Sequence, residues 1–288
     1  MTLIIAGLFY DPALEAFPDD KVLHGFCCAD SLGSTITAEG GLKIASTHRR
    51  KIHALRPEVH VPNYQSGRLE AQVRRSIIPL GLAHAGNVYL TSTILTEFLD
   101  TLQNLRATRG NVDQERKLVP PWHPDALNQS PQGDDPHLWA ISPRSNMDFF
   151  AQLLQINARS VLDDAKEVYG PGLHAGIDDV AFVLLGYCEM KQRVVVYHFD
   201  LLRSQGEAAL PTVQCRELAP GQIAVLGLPP EQSAIVEVET TSRAALSSLS
   251  DAAEQLCAEA IAGGRFKGVG GYLTEGHVKS SIGFHMGG

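Results

Sequence analysis

The chain has 288 residues, of which 44% are hydrophobic and 19% charged, and its formal net charge is −8. This size and apolar content suit one large domain, and the acidic balance argues against a nucleic-acid partner. No apolar run is long enough for a transmembrane helix, and the first residues lack the pattern of a secretory signal, so no membrane partner is expected. The five cysteines form no C-x-x-C pair, so we expect free thiols and a cytoplasmic location.

Hydrophobic patterning in the first third of the chain predicts mostly strands. The predicted elements are, in order, strands at 2–10, 21–30, 42–46 and 51–55, a polar and ambiguous stretch at 61–76, a strand at 77–86, and a helix at about 88–106. The helix follows from apolar residues at helical spacing, and the strand before it stops at Gly86.

The region 107–145 is rich in Pro, Asp, Gln and Asn, and it predicts a surface insertion within one domain covering 1–288. Regular patterns resume after it. The predicted elements are an amphipathic helix at 149–169, a hairpin of strands at 180–187 and 194–199, a strand at 221–227, a helix at 241–262, and a Gly-rich hairpin at 266–284. Hairpin-linked strands with helices grouped between them indicate an α+β fold with antiparallel sheets.

The second residue, Thr2, is a candidate nucleophile. It follows Met1, which methionine aminopeptidase removes when the next residue is small, so we expect Thr2 to become the mature N-terminus. A terminal threonine combines a hydroxyl with a free α-amine, whose pKa of about 8 lets it accept the hydroxyl proton.

Several short segments follow Thr2 in a characteristic order. They are Cys28-Ala29-Asp30-Ser31, then Ile44-Ala45-Ser46 with Lys51-Ile52, then Leu82-Ala83-His84-Ala85-Gly86-Asn87, and finally Val269-Gly270-Gly271-Tyr272. In this order they resemble the proteasome β-subunit family of self-compartmentalising N-terminal nucleophile hydrolases, and most closely its bacterial branch around HslV, Anbu and the betaproteobacterial proteasome homologue. The resemblance implies a four-layer αββα sandwich of two antiparallel sheets, and homo-oligomeric double rings that enclose a chamber.

The resemblance also implies a role for each site residue. Thr2 would be the nucleophile, and Lys51 would lie beside its hydroxyl, lowering the pKa of the amine and favouring the alkoxide. Asp30 would hold Lys51 in place and keep it charged, while the backbone N–H of Gly86 would face the developing oxyanion. No cofactor or metal is implied, and the eleven histidines form no zinc-type spacing.

The function implied is that of a threonine-type peptidase acting on unfolded polypeptides or peptides, with a separate AAA+ ATPase as the partner that would deliver them. Two departures from the family pattern keep alternatives open. Leu32 replaces an Arg, and Phe266-Lys267-Gly268-Val269 replaces an Asp-x-x-Ser that supports the terminal amine. The alternatives are a catalytically degenerate, ring-forming scaffold or binding protein, and an amidohydrolase of the same superfamily acting on small amides, with 107–145 capping its site.

Overall fold

The computed structural model describes residues 2–10, 22–36, 42–65, 68–109, 116–127, 144–169, 180–202, 212–245, 247–279 and 282–287. The strands are β1 (Ile4–Tyr10), β2 (Leu23–Asp30), β3 (Gly33–Ile36), β4 (Leu42–Ser46), β5 (Ile52–Leu55), β6 (Glu58–Gln65), β7 (Arg68–Ser76), β8 (Leu80–Ala85), β9 (Leu105–Arg109), β10 (Arg116–Val119), β11 (Ala181–Cys188), β12 (Arg193–Leu202), β13 (Thr212–Glu217), β14 (Ile223–Leu226), β15 (Leu273–Lys279) and β16 (Gly283–Met286). The helices are α1 (Val88–Gln103), α2 (Pro124–Leu127), α3 (Met147–Tyr169), α4 (Pro230–Ala244) and α5 (Leu249–Gly263).

Two five-stranded antiparallel sheets form the centre of the fold. The first has the order β14-β1-β2-β15-β16 and the second has β13-β12-β11-β8-β5. In the first sheet Ile4 lies opposite Ala29, and Asp30 lies opposite Leu273. This register places Asp30, the last residue of β2, beside the start of β1. A smaller sheet, β10-β9-β6-β7, contains a parallel pair of β6 and β9, and β3 pairs with β4.

Three hydrophobic clusters define the order of the layers. The cluster between the two central sheets joins inward-facing residues such as Ile4 and Ala29 of the first sheet to Ala83 and Val183 of the second. A second cluster packs α1 and α3 on the outer face of the second sheet. A third cluster packs α4 and α5 on the outer face of the first sheet. Because both faces of each sheet are covered, strands such as β1 and β11 consist almost entirely of apolar residues.

The αββα order and the α+β class predicted from the sequence are therefore confirmed. All five cysteines are free thiols, and no helix in the described ranges is long and apolar enough to cross a membrane.

Part of the region predicted as a surface insertion is built into the fold. β9 and β10 pair with each other at its start, and Ala107 and Leu118 lie buried in the cluster beneath α1 and α3. Pro-rich composition concealed these two short strands. Residues 128–143, which make up much of the predicted insertion, lie outside the described residues.

The helix predicted at 241–262 is in fact two helices, α4 and α5, because its Ser/Thr-rich start is not a helix cap. The hydroxyls of Thr240, Thr241 and Ser242 donate back to carbonyl oxygens one turn earlier, inside α4. The actual cap of α5 is Ser248, whose Oγ accepts from the backbone N–H of Asp251 at 3.1 Å. The ambiguous stretch at 61–76 forms most of the β6–β7 hairpin.

Candidate active site

Asp30 is the centre of a buried polar group at the edge where β1 begins and β2 ends. Its carboxylate is fully buried. Oδ1 accepts from Lys51 Nζ at 2.6 Å and from the backbone N–H of Leu3 at 2.8 Å. Oδ2 accepts from the backbone N–H groups of Leu32 at 3.3 Å and Gly270 at 3.1 Å. Four accepted hydrogen bonds use the full capacity of a carboxylate, so Asp30 is not available as a metal ligand.

Lys51 lies just before β5, and the residue is only 1% exposed. Burial lowers the pKa of Lys51, because a charged ammonium is disfavoured away from water, and the nearby Arg49 guanidinium adds to the lowering. The ion pair and hydrogen bond to Asp30 act in the opposite direction. The Asp30 carboxylate at 2.6 Å thus stabilises the charged form of Lys51 against the cost of its burial.

Thr2 joins this group through the backbone. Its neighbour Leu3 exchanges two hydrogen bonds with Asp30: the Leu3 N–H donates to the carboxylate, and the Asp30 N–H donates to the Leu3 carbonyl at 3.1 Å. The Thr2 nitrogen donates to the carbonyl oxygen of Gly227 at 3.3 Å. Asp30 therefore fixes both Lys51 and the strand that carries Thr2.

Gly227 allows a close approach to Thr2 that no other residue would permit. It follows β14 with φ of +80°, and a Cβ built on it would lie 2.6 Å from the Thr2 carbonyl oxygen and 2.8 Å from Thr2 Cβ. Such distances are shorter than non-bonded atoms tolerate, and the positive φ independently favours glycine. The same position is 3.1 Å from the Cβ of Ala85, so the end of β8 lies close to Gly227 and Thr2.

Gly86 lies between β8 and α1, with φ of +107°. It separates Ala85, which lies close to Gly227, from Asn87, which caps α1 by accepting from the backbone N–H of Tyr89 at 3.0 Å. This position matches the strand-to-helix turn expected from the sequence. The first turn of a helix is a favourable environment for developing negative charge.

Two histidines lie near Lys51: His53 is two residues further along the chain, and the backbone N–H of His84 donates to the Lys51 carbonyl at 3.0 Å. The Nε2 atoms of His53 and His84 are 3.2 Å apart, and their rings stack with centroids 5.2 Å apart. Burial lowers the pKa of His53 to about 4, with Arg50 adding to the effect. Burial lowers the pKa of His84 to about 3, with His53 adding to the effect. Both imidazoles are therefore uncharged at neutral pH, and one donates a hydrogen bond to the other.

The structure thus joins Asp30 to Lys51 and to the backbone of Leu3, the residue next to Thr2. Gly86 follows directly on Ala85, the last residue of β8. The sequence does not reveal the roles of Gly227, whose carbonyl accepts from Thr2, and Gly270, whose N–H donates to Asp30, because both act through backbone atoms. The signals available for them were a glycine directly after an apolar strand and the Gly-Gly pair at 270–271.

The chain is similar to solved structures of Anbu, one of the bacterial proteins that the sequence resembles. The Anbu (Gly-1) mutant from Hyphomicrobium sp. strain MC1 is 11% identical, with a TM-score of 0.49 over 100% of this chain and 86% of that one. Anbu (ancestral beta-subunit) from Yersinia bercovieri is 12% identical, with a TM-score of 0.49 over 99% of this chain and 86% of that one. The chain in a helical assembly of the Anbu complex from Pseudomonas aeruginosa is 13% identical, with a TM-score of 0.49 over 98% of this chain and 83% of that one.

No protein-family model matches the chain, and no curated protein sequence matches it. At these identities the structural similarities say nothing of activity. The layer order and the contacts around Asp30 are properties of this chain itself and do not rest on these similarities.

Proposed function

We propose that this protein is a threonine-type peptidase of the N-terminal nucleophile class, with Thr2 as its nucleophile after removal of Met1. The observation that carries the proposal is the shared carboxylate: Asp30 binds the buried Lys51 ammonium and the backbone next to Thr2 through the same Oδ1 atom. A fully buried ion pair is expensive to maintain for stability alone, which supports a role for its charge.

In the proposed reaction the free amine of Thr2 accepts the proton of its own hydroxyl, and the hydroxyl oxygen attacks the scissile carbonyl. The positive charge of Lys51 lowers the pKa of the amine towards neutrality and stabilises the alkoxide. The N–H of Gly86 donates to the oxyanion of the tetrahedral intermediate. The leaving amine takes the proton from the Thr2 amine, and water activated by that same amine then releases the acyl group.

The position of the Gly227 carbonyl supports the Thr2 amine as the proton acceptor. It accepts from the Thr2 nitrogen at 3.3 Å. It would continue to accept from the amine after Met1 is removed, and so orient it. In this role Gly227 replaces the Asp-x-x-Ser of the family pattern, where this chain has Phe266, Lys267, Gly268 and Val269.

The test is cleavage of a fluorogenic peptide amide by three variants. We expect Thr2→Ala to abolish cleavage, and Lys51→Met to reduce kcat/KM by about 100- to 1,000-fold because one electrostatic stabiliser is removed. Lys43→Met, which removes an exposed lysine on β4, is the matched control and should leave the rate unchanged. Unchanged cleavage in Thr2→Ala or Lys51→Met variants that remain folded would contradict the proposal.

A non-catalytic scaffold is the second candidate, and one observation favours it. Where the family pattern has two polar residues near the amine, this chain has Phe266 and Val269, which are both buried in the cluster beneath α4 and α5. A scaffold would assemble identically with Thr2→Ala and would show no cleavage in the unmodified protein. Light scattering of both proteins beside the cleavage assay separates the two functions.

We also propose a homo-oligomeric, chambered assembly that admits unfolded chains, delivered by a separate AAA+ ATPase. The support is the sequence resemblance together with the αββα layers described above. Mass by light scattering and electron microscopy of the purified protein test the assembly, and a closed double ring is the expected result. A monomer at micromolar concentration would contradict it.

A further inference from the structure

Three side chains that could bind a metal ion converge on the outer face of the first sheet, beneath α5. Glu275 and His277 lie two residues apart on β15 and so point to the same face, and Glu254 projects from α5. One ligand atom from each residue lies within 4.8 Å of the other two. The group lies on the helix-covered side, because His277 is opposite Phe26, which packs beneath α5.

The distances within this group suit a metal better than a hydrogen-bonded cluster. Nε2 of His277 is 3.7 Å from Oε1 of Glu254 and 3.7 Å from Oε2 of Glu275. These separations are too long for hydrogen bonds. Ligand atoms bound to one tetrahedral zinc ion, with bonds of about 2.0 to 2.2 Å, are about 3.4 Å apart. A shift of a few tenths of an ångström would bring both carboxylates and the imidazole to bonding distance.

A possible fourth ligand, and the second nitrogen donor, lies nearby. His285 on β16 pairs in register with His277, and their ring centroids are 6.0 Å apart. Because His285 is exposed, its side chain can rotate towards the group. The set therefore contains nitrogen as well as oxygen donors, which distinguishes it from an acidic patch and selects zinc-like ions over Mg²⁺.

The environment of Glu254 is consistent with a cation between the carboxylates. Oε1 accepts from the Ser250 hydroxyl at 3.0 Å, which holds this oxygen in place, as outer partners of metal ligands do. A carboxylate oxygen of Glu275 lies within 4.8 Å of one of Glu254. Two carboxylates so close together repel each other unless a proton or a metal ion is shared between them.

We propose that Glu254, Glu275 and His277 form a divalent transition-metal site, with His285 available as a fourth ligand. The ion would tie α5 to β15, the strand that pairs with β2 at Asp30. The site is separate from Thr2 and Lys51, and this inference does not depend on the peptidase function.

The test uses the purified full-length protein after removal of metal by chelation. We expect native mass spectrometry to show one Zn²⁺ per chain, and the melting temperature to rise with added Zn²⁺. Mg²⁺ at the same concentration should give neither effect. Equal displacement of Zn²⁺ by Mg²⁺, or no bound Zn²⁺ at all, would overturn the proposal.

Variants identify the ligands. His277→Asn and the isosteric Glu275→Gln should each weaken Zn²⁺ binding, measured by calorimetry, by at least about tenfold. The matched controls are His60→Asn on β6 and Glu237→Gln on α4, which should bind Zn²⁺ like the unmodified protein. If His277→Asn and Glu275→Gln change the melting temperature without zinc but bind Zn²⁺ normally, the group is an ion-pair cluster and the metal site is refuted.

Discussion

The ion pair of Asp30 and Lys51 predicts a strongly asymmetric double-mutant cycle. In Asp30→Asn the Lys51 ammonium remains buried with no opposite charge, so we expect the free energy of unfolding to fall by about 3 to 5 kcal/mol. In Lys51→Met the carboxylate keeps three backbone N–H donors, from Leu3, Leu32 and Gly270. The loss should therefore be smaller, roughly 1 to 3 kcal/mol.

The double variant Asp30→Asn/Lys51→Met removes both charges, so its loss should be smaller than the sum of the single losses by about 1 to 3 kcal/mol. Urea unfolding followed by circular dichroism gives these values, provided that the slopes of the transitions agree. Asp100→Asn, at an exposed position on α1, should change stability by less than about 0.5 kcal/mol. Additivity within about 0.5 kcal/mol would refute the buried pair as described.

Two further predictions concern the histidine pair and the glycine beside Thr2. His53 and His84 have pKa values of about 4 and about 3 in the folded chain, below their value when unfolded. The unfolded state therefore binds more protons below pH 6.5, and stability falls as the pH decreases from about 6.5 towards 4. At pH 5 the pair should lower the free energy of unfolding by about 4 kcal/mol relative to pH 7.5. The double variant His53→Asn/His84→Asn should lose that part of the pH dependence, measured by urea unfolding at each pH. An unchanged pH dependence in the variant would show that both histidines are protonated or exposed when folded. Gly227→Ala should lower the free energy of unfolding by about 1 to 3 kcal/mol more than Gly221→Ala, because both have similar positive φ but only the first meets Thr2, whereas a Cβ at Gly221 has no heavy atom within 4 Å. Equal melting temperatures for the two glycine variants would contradict the close approach.

The fold and the core of the candidate site follow from local patterns. Thr2, Asp30 and Lys51 could be named together because each falls within a short motif, and the motifs occur in a recognisable order. Hairpin-linked strands and grouped helices indicate an α+β class with antiparallel sheets, whereas the four layers are what the family resemblance implies. In both cases the information lies in segments of a few residues.

Other features depend on contacts between distant segments, which no local pattern encodes. Gly227 contacts Thr2 although the two are far apart along the chain, and the proposed metal site joins Glu254 on a helix to Glu275 and His277 on a strand. The boundary between α4 and α5 was misplaced for a different reason. Ser and Thr can bond within a helix as well as cap one, and only the structure distinguishes these two uses.

The central claim is that Thr2 becomes a free N-terminal nucleophile, and intact mass after incubation with a peptide epoxyketone tests it most directly. This reagent forms its ring adduct only with a hydroxyl and a free α-amine on the same residue. We predict a mass that lacks Met1 and carries one adduct, and no adduct in Thr2→Ala. A mass that retains Met1, or that carries no adduct, would contradict the claim.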